Sequence, residues 1–164
     1  MFRGTYTQKV DDKSRVNVPQ RFRDVLKITD DDRLLITNSR VRGVRCLDAF
    51  PYAAWVKFEQ DLEEHHADWD PDEVNFLVNY YVPSVQECPV DKQGRILLPQ
   101  RLREYAGLGR DVLFIGAVHM FRLWDPVAWA PVFDSAEQVL VKNPTFMPGF
   151  RLKKSSDGNG TGAK

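Results

Sequence analysis

The chain repeats itself. Val10-Asp11-Asp12-Lys13-Ser14-Arg15-Val16-Asn17-Val18-Pro19-Gln20-Arg21-Phe22-Arg23 is answered, 80 positions later and without a gap, by Val90-Asp91-Lys92-Gln93-Gly94-Arg95-Ile96-Leu97-Leu98-Pro99-Gln100-Arg101-Leu102-Arg103. Val, Asp, Arg, Pro, Gln and two further Arg recur identically, and Val16/Ile96, Val18/Leu98, Phe22/Leu102 and Ile28/Leu108 match in apolar character. Self-similarity at a fixed offset marks one structural unit used twice. Halves of this size bury little surface alone. The repeat therefore predicts two halves packed into one pseudo-symmetric barrel rather than two independent domains.

Each copy has the same local pattern. An apolar residue precedes a polar Asp-x-x-x-Arg segment, and alternating apolar residues follow it, which predicts a strand, a tight turn and a second strand, that is, a β-hairpin. Gly94 supports the turn in the second copy, where the first has Ser14. Pro19 and Pro99 end the second strand and suit a first helical position. Short helices are predicted over 20–27 and Gln100–Ala106, and strands over 33–37, 44–47, 111–116 and 120–123. Each half then turns helical after a proline, over 51–64 and 126–141, with Pro131 expected to kink the latter or mark its true first turn. A further helix is predicted over 71–81, with Val74, Leu77, Val78 and Tyr81 on one side. Trp55, Phe58, Trp129 and Phe133 sit at helical spacing and read as core or interface residues. The fold class is α+β, built from two βαββ halves, each followed by helices. The halves span 1–82 and 83–150, and 151–164 reads as a disordered polar tail.

Formal net charge is zero, from 23 basic and 23 acidic residues, but the charges are segregated. Residues 1–45 carry +5, 46–87 carry −9, 88–125 carry +2 and 126–164 carry +2. The acidic block reads either as a solvated helical surface or as one pole of a molecule with a cationic and an anionic face, a polarity that can orient a protein on DNA. No apolar run approaches the roughly 18 residues of a membrane span. Met1 to Tyr6 carries Arg3 with no apolar stretch behind it, which argues against a signal peptide and makes the cytoplasm the expected compartment. Cys46 and Cys88 lie far apart and lack the spacing of a zinc site or disulfide framework.

The N-terminal Met1-Phe2-Arg3-Gly4-x-Tyr6, the segment Asp11-Asp12-Lys13-Ser14-Arg15 and the segment Asp91-Lys92-Gln93-Gly94-Arg95-Ile96-Leu97-Leu98-Pro99 together resemble the MraZ family over roughly residues 1–145. The resemblance implies a tandem swapped-hairpin β-barrel of the AbrB/SpoVT type. It also implies a bacterial transcriptional regulator that binds direct repeats of double-stranded DNA upstream of its own gene, at the head of the division and cell-wall cluster. It implies a homo-oligomeric ring, nucleoid-associated in the cytoplasm, with no enzymatic activity, cofactor or membrane partner. The DNA-binding elements of the family fall, by match, on Asp11 and Arg15 and on Asp91 and Arg95. Ser14, where glycine is usual, and the arginine-rich segment 38–45 depart from the family pattern.

The chemistry of these residues suits that role. Arginine pairs bidentately with guanine O6 and N7, and a hairpin tip would project Arg15 and Arg95. The aspartates would repel phosphate directly, so they are expected to orient the guanidinium groups. Arg3, Lys9, Lys13, Arg21, Arg23, Lys92, Arg101 and Arg103 are candidate phosphate contacts. Taken alone, an Asp-x-x-x-Arg segment is a turn-stabilising ion pair contributing about 0–1 kcal/mol; its duplication, with the resemblance, favours DNA. Arg21, Arg23, Arg101 and Arg103 fit a solvated helix face or a bridge to a neighbouring subunit as well. Arg40, Arg42 and Arg45 read as a mobile basic loop, Asp30 to Asp32 as a turn, and His119 as a core or interface histidine.

Two competing functions come from other classes. One is a protein–protein adaptor working through the acidic segment 61–73. The other is a metal-dependent hydrolase using His65, His66 and neighbouring carboxylates. Adjacent histidines on a helix point about 100° apart and do not share a site easily, and the HExxH spacing is absent, so a solvated helix end is the simpler reading. No Walker A, Rossmann or GxSxG sequence occurs.

Overall fold

The structure is a computed structural model that describes residues 1–143; the segment 151–164, expected as a polar tail, lies outside the described residues. Strands β1 (Thr5–Lys9) and β2 (Arg15–Asn17) precede helix α1 (Gln20–Leu26), strands β3 (Arg33–Val41) and β4 (Val44–Pro51), and helices α2 (Tyr52–His65) and α3 (Pro71–Phe76). The second half follows the same order, with β5 (Gln86–Pro89), β6 (Arg95–Leu97), α4 (Gln100–Ala106), β7 (Asp111–Ala117), β8 (Met120–Trp124) and α5 (Pro126–Lys142).

The architecture is α+β and the sheet is antiparallel. Six strands run in the order β1-β7-β8-β4-β3-β5, and β2 pairs with β6 in a separate ladder. Exchanging β1 with β5, β3 with β7 and β4 with β8 leaves that order unchanged, which is the sequence repeat expressed in three dimensions. Among the described residues the ladders do not close into a barrel, since β1 and β5 remain the edges of the sheet.

The hairpin expected within each copy forms only at its tip. Val10 bridges Val16, but β1 otherwise runs beside β7, with Thr5 opposite Ile115 and Lys9 opposite Asp111. Strand β5 runs correspondingly beside β3, with Arg33 opposite Pro89. Each half thus lends its first strand to the other. Strand β2 has only 3 residues, and pairing it with β6 sets Val16 opposite Ile96 with both buried.

One core serves both halves. Val16, Val18, Ile96 and Leu98 from the short ladder meet Phe22, Leu102, Leu34, Ile36, Val112, Phe114, Phe121 and Leu123, all essentially inaccessible to solvent. Phe22 lies within 5.3 Å of the Phe2, Tyr6 and Phe121 ring centroids. Aromatic pairs of this geometry contribute about 0.5–1.5 kcal/mol beyond their buried area.

Several local expectations shift. Pro19 and Pro99 sit one residue before their helices, where the Pro19 carbonyl accepts from the Phe22 and Arg23 N–H groups at 2.9 and 3.0 Å. Pro131 lies inside α5, so it does not mark the first turn. The helix predicted over 71–81 is α-helical through Phe76 and then widens to π over Leu77–Tyr81. Segment 38–45 is the tip of the β3–β4 hairpin rather than a loop. Val41 pairs with Val44 across Arg42 (φ 50°) and Gly43 (φ 81°), the geometry of a two-residue type I′ turn. His119 is exposed at the β7–β8 turn, not in the core.

The chain divides into two compact units. Met1–Val132 holds every described strand, helices α1 to α4 and the first turns of α5. The described residues of the second unit, from Phe133, are the remaining turns of α5 and Asn143.

Candidate nucleic-acid interface

Each Asp-x-x-x-Arg segment is a turn tied together by its own aspartate. In the first, the Asp11 N–H donates to the Arg15 carbonyl at 2.8 Å and the Ser14 N–H to the Asp11 carbonyl at 3.0 Å. Asp11 Oδ1 accepts the Lys13 and Arg15 N–H groups, each at 2.9 Å, and Oδ2 accepts Arg15 Nε at 2.8 Å. The second turn repeats this. Asp91 Oδ1 accepts the Gln93 and Arg95 N–H groups, each at 2.9 Å, and Oδ2 accepts Arg95 Nε at 3.0 Å. A short acidic side chain reaches N–H groups two and four residues on, which is why aspartate stands four positions before arginine. The Arg15 N–H does most to hold the Asp11 carboxyl below its ordinary pKa, and with the Arg15 guanidinium and the Lys13 N–H it outweighs desolvation. Arg95 and Gln93 do the same for Asp91.

Both turns need a left-handed residue. Gly94 takes φ 80°, and Ser14 takes φ 62° at the same place, so the departure from glycine leaves the turn geometry intact.

The halves lock each other's turns. Arg103, on α4, donates from Nη1 to Ser14 Oγ at 2.6 Å, while Arg23, on α1, donates from Nη1 to the Gln93 carbonyl at 3.2 Å and from Nη2 to Gln20 Oε1. The Val18 N–H donates to the Gly94 carbonyl and the Leu98 N–H to the Ser14 carbonyl, both at 2.9 Å. Arg23 and Arg103 are half-buried, each with a buried Nε that has no hydrogen-bond partner. Their guanidinium groups thus face the opposite turn.

Arg15 and Arg95 remain partly open, with side-chain exposures of 32% and 24%. Of the Arg15 guanidinium, Asp11 holds Nε, whereas the Arg95 guanidinium is also held through Nη2 by Asp91 and Gln93. Lys13 and Lys92 are exposed on the turns, and Arg21 and Arg101 are exposed in the first turns of α1 and α4. Lys9, Arg103 and Arg110 line one depression with Asp11 and Asp12, and Arg23, Lys27 and Lys92 line another with Asp30, Asp31, Asp32 and Asp91, which makes the second more acidic than basic. Lys9 is paired with Asp111 at 2.8 Å. Arg3 is elsewhere: it precedes β1, beside Gly116, roughly 25 Å along the strand from Asp11 at about 3.3 Å per residue. Arg110 and Lys27 escaped the sequence reading; the structure sets Arg110 in the place of Asp32, since the Arg110 carbonyl accepts the Val10 N–H as the Asp32 carbonyl accepts the Val90 N–H.

A second polar cluster, invisible in the sequence, lies on the sheet, where Asp48 of β4 stands opposite Arg122 of β8. Asp48, 5% exposed, accepts from Tyr81 Oη at 2.7 Å and from Arg122 Nε at 2.8 Å. Burial first, and then the Asp48 charge, push the Tyr81 phenol far above its usual pKa. Glu63, Glu64, His65, His66 and Asp68 are exposed around the end of α2. Among the described residues no group of three His, Cys, Asp or Glu side chains could hold a metal ion, and no helix is long and apolar enough to cross a membrane.

A family model described as "MraZ protein, putative antitoxin-like" matches residues 1–75 and 84–145. A Syntrophobacter fumaroxidans protein named transcriptional regulator MraZ is 38% identical over 151 residues, 92% of this chain and 97% of the relative. A protein of the same name from Thioalkalivibrio sulfidiphilus is 40% identical over 134 residues, 82% of this chain and 86% of the relative. One from Acidithiobacillus ferrooxidans is 37% identical over 131 residues, 79% and 85% of the two chains.

Proposed function

The chain belongs to the MraZ family, and from that premise we propose that it is a bacterial transcriptional regulator that binds double-stranded DNA and catalyses no reaction. The observation that carries this reading is the pair of Asp-x-x-x-Arg turns of matched geometry at the two ends of the β2–β6 ladder. Arg15 and Arg95 read guanine edges, and Asp11 and Asp91 aim them. Lys13, Lys92, Arg21, Arg101, Lys9 and Arg110 neutralise phosphates. Arg23 and Arg103 act through the opposite turn as positioning residues, and Arg3 stands outside the face.

The finer reading follows the family resemblance. The exchange of β1 and β5 between halves supports a swapped-hairpin arrangement. The protein assembles as a homo-oligomeric ring in the cytoplasm, associated with the nucleoid. It engages direct repeats upstream of its own gene in the division and cell-wall cluster, one repeat per subunit.

Fluorescence anisotropy against a duplex from upstream of the gene, compared with a scrambled duplex over a salt series, tests this. Tighter binding to the native duplex that weakens with salt is expected. Arg15→Ala and Arg95→Ala should each weaken it, by about 1–3 kcal/mol per lost guanine contact, with the oligomer retained by size-exclusion chromatography. Absence of binding at low salt would overturn the reading and move the exposed acidic segment 61–73 to the front.

A further inference from the structure

The β2–β6 ladder has two faces, and only one is buried. Val16 and Ile96 lie opposite each other at its middle, 1% and 0% exposed. Strand alternation turns their neighbours the other way. On that outward face the register sets Arg15 opposite Leu97 and Asn17 opposite Arg95. Leu97 is 57% exposed although both of its chain neighbours are buried, and Asn17 is exposed as well. A leucine held in solvent between arginines packs no core.

We infer that this face is a β-ribbon reader of the DNA major groove, with Asn17 and Leu97 as specificity-determining residues that make its two ends read different bases. The inference rests on the DNA-binding reading and deepens it.

The groove is about 12 Å wide and admits a two-stranded ribbon. Opposite residues on one ribbon face have Cβ atoms about 5 Å apart, and the diagonal pair Arg15 and Arg95 about 7–8 Å. That diagonal spans about two base steps of 3.4 Å. Beside Arg95, the Asn17 amide offers one donor and one acceptor, the complement of adenine N7 and N6. Beside Arg15, Leu97 offers neither, but its methyl groups suit the C5-methyl of thymine. One end of the ribbon therefore takes a guanine with a neighbouring adenine, and the other a guanine with a neighbouring thymine.

Asn17 and Leu97 occupy the same place in the repeat, 80 positions apart. With identical residues there, exchange of the halves would map the four outward side chains of the ladder onto one another, and that face would favour an inverted repeat. The difference removes that symmetry and gives the protein a direction on DNA, as recognition of direct repeats requires.

Selection from a randomised duplex pool, carried out with the native protein, N17L and L97N, tests this. The native protein should select an element whose two ends differ, with adenine favoured at one. N17L should lose that adenine. In competition between the selected duplex and one substituted at that base, the preference should fall on the order of tenfold or more, the value of one bidentate contact. L97N should gain an adenine at the opposite end and select an element nearer to an inverted repeat, a gain that misfolding cannot produce. Identical elements from all three proteins would overturn the inference while leaving the DNA reading standing. A native protein that selects no element would overturn both.

Discussion

Arg103 Nη1 reaches across 89 residues of chain to hydrogen-bond Ser14 Oγ, and its counterpart Arg23 lies so close over Gly94 that a Cβ there would stand 1.6 Å from Nη1. The two halves thus fill one space in two ways. Where the turn residue has a side chain, the arginine binds it; where it has none, the arginine takes its place. Both turn residues are left-handed, a conformation that costs a non-glycine residue roughly 1–2 kcal/mol.

This pairing predicts how Gly94 tolerates substitution. In Gly94→Ser, Arg23 can withdraw and bond the new hydroxyl as Arg103 bonds Ser14, recovering about 1 kcal/mol of the conformational cost. Gly94→Val offers no hydroxyl and adds a branch in a left-handed position, so it should cost about 3 kcal/mol. Urea denaturation of the two variants measures the gap. Equal losses would show that Arg23 does not answer the side chain at 94.

Arg122→Ala should be among the more damaging single changes in the sheet. It leaves the Asp48 carboxylate, 5% exposed, with Tyr81 as its remaining side-chain donor. Removing one partner of a buried pair typically costs 3–5 kcal/mol. Because the Arg122 side chain is itself 34% exposed, about 3 kcal/mol or somewhat less is expected by denaturant titration. The double variant Asp48→Ala/Arg122→Ala should lose less than the two single losses added together.

Cys46 and Cys88 should be chemically silent. They are 0% and 2% exposed, and burial pushes both thiols up to about 12, with Asp48 assisting at Cys46 and Glu87 at Cys88. Almost no thiolate exists at neutral pH, and the thiolate is the nucleophile. A disulfide-exchange reagent should label neither in the folded protein at pH 8 and both in denaturant. Rapid labelling of one cysteine without denaturant would place it in a segment that opens locally.

The turns could be read from the sequence because their bonds are local. Asp11 and Asp91 reach N–H groups no more than 4 residues away, so spacing alone encodes the geometry. Strand partnership could not be read so. An apolar residue before Asp11 and alternating apolar residues after Arg15 suit a hairpin within one copy as well as the observed exchange between copies, in which Val16 is buried against Ile96. Arg23 and Arg103 looked like a cationic helix face because their partners, the turns of the opposite half, lie 70 and 89 residues away. The Arg42-Gly43 turn was legible in principle, since glycine after a polar residue between alternating residues is a hairpin signal, but the surrounding arginines suggested a loop. Nothing local marks Asp48 as buried.

Acid should release the two turns late. Asp11 and Asp91 have folded-state pKa values below the ordinary carboxylate value, chiefly because the Arg15 and Arg95 N–H groups bond the charged form. A depressed folded pKa contributes stability that is present above the unfolded value of about 3.9 and is lost as pH falls through the folded value. The turns should therefore be unchanged from neutral pH down to the ordinary carboxylate range and come apart only below it. Amide proton shifts of Lys13, Arg15, Gln93 and Arg95, followed by NMR as pH is lowered, report this residue by residue, since their N–H groups point at the titrating oxygens. Midpoints below 3.9 in both turns are expected. A midpoint at or above that value in either turn would mean its aspartate is not held by the backbone. The arginine beside it would then be aimed by the surrounding chain rather than by the carboxylate, and Asp→Asn at that position should leave DNA affinity untouched instead of lowering it.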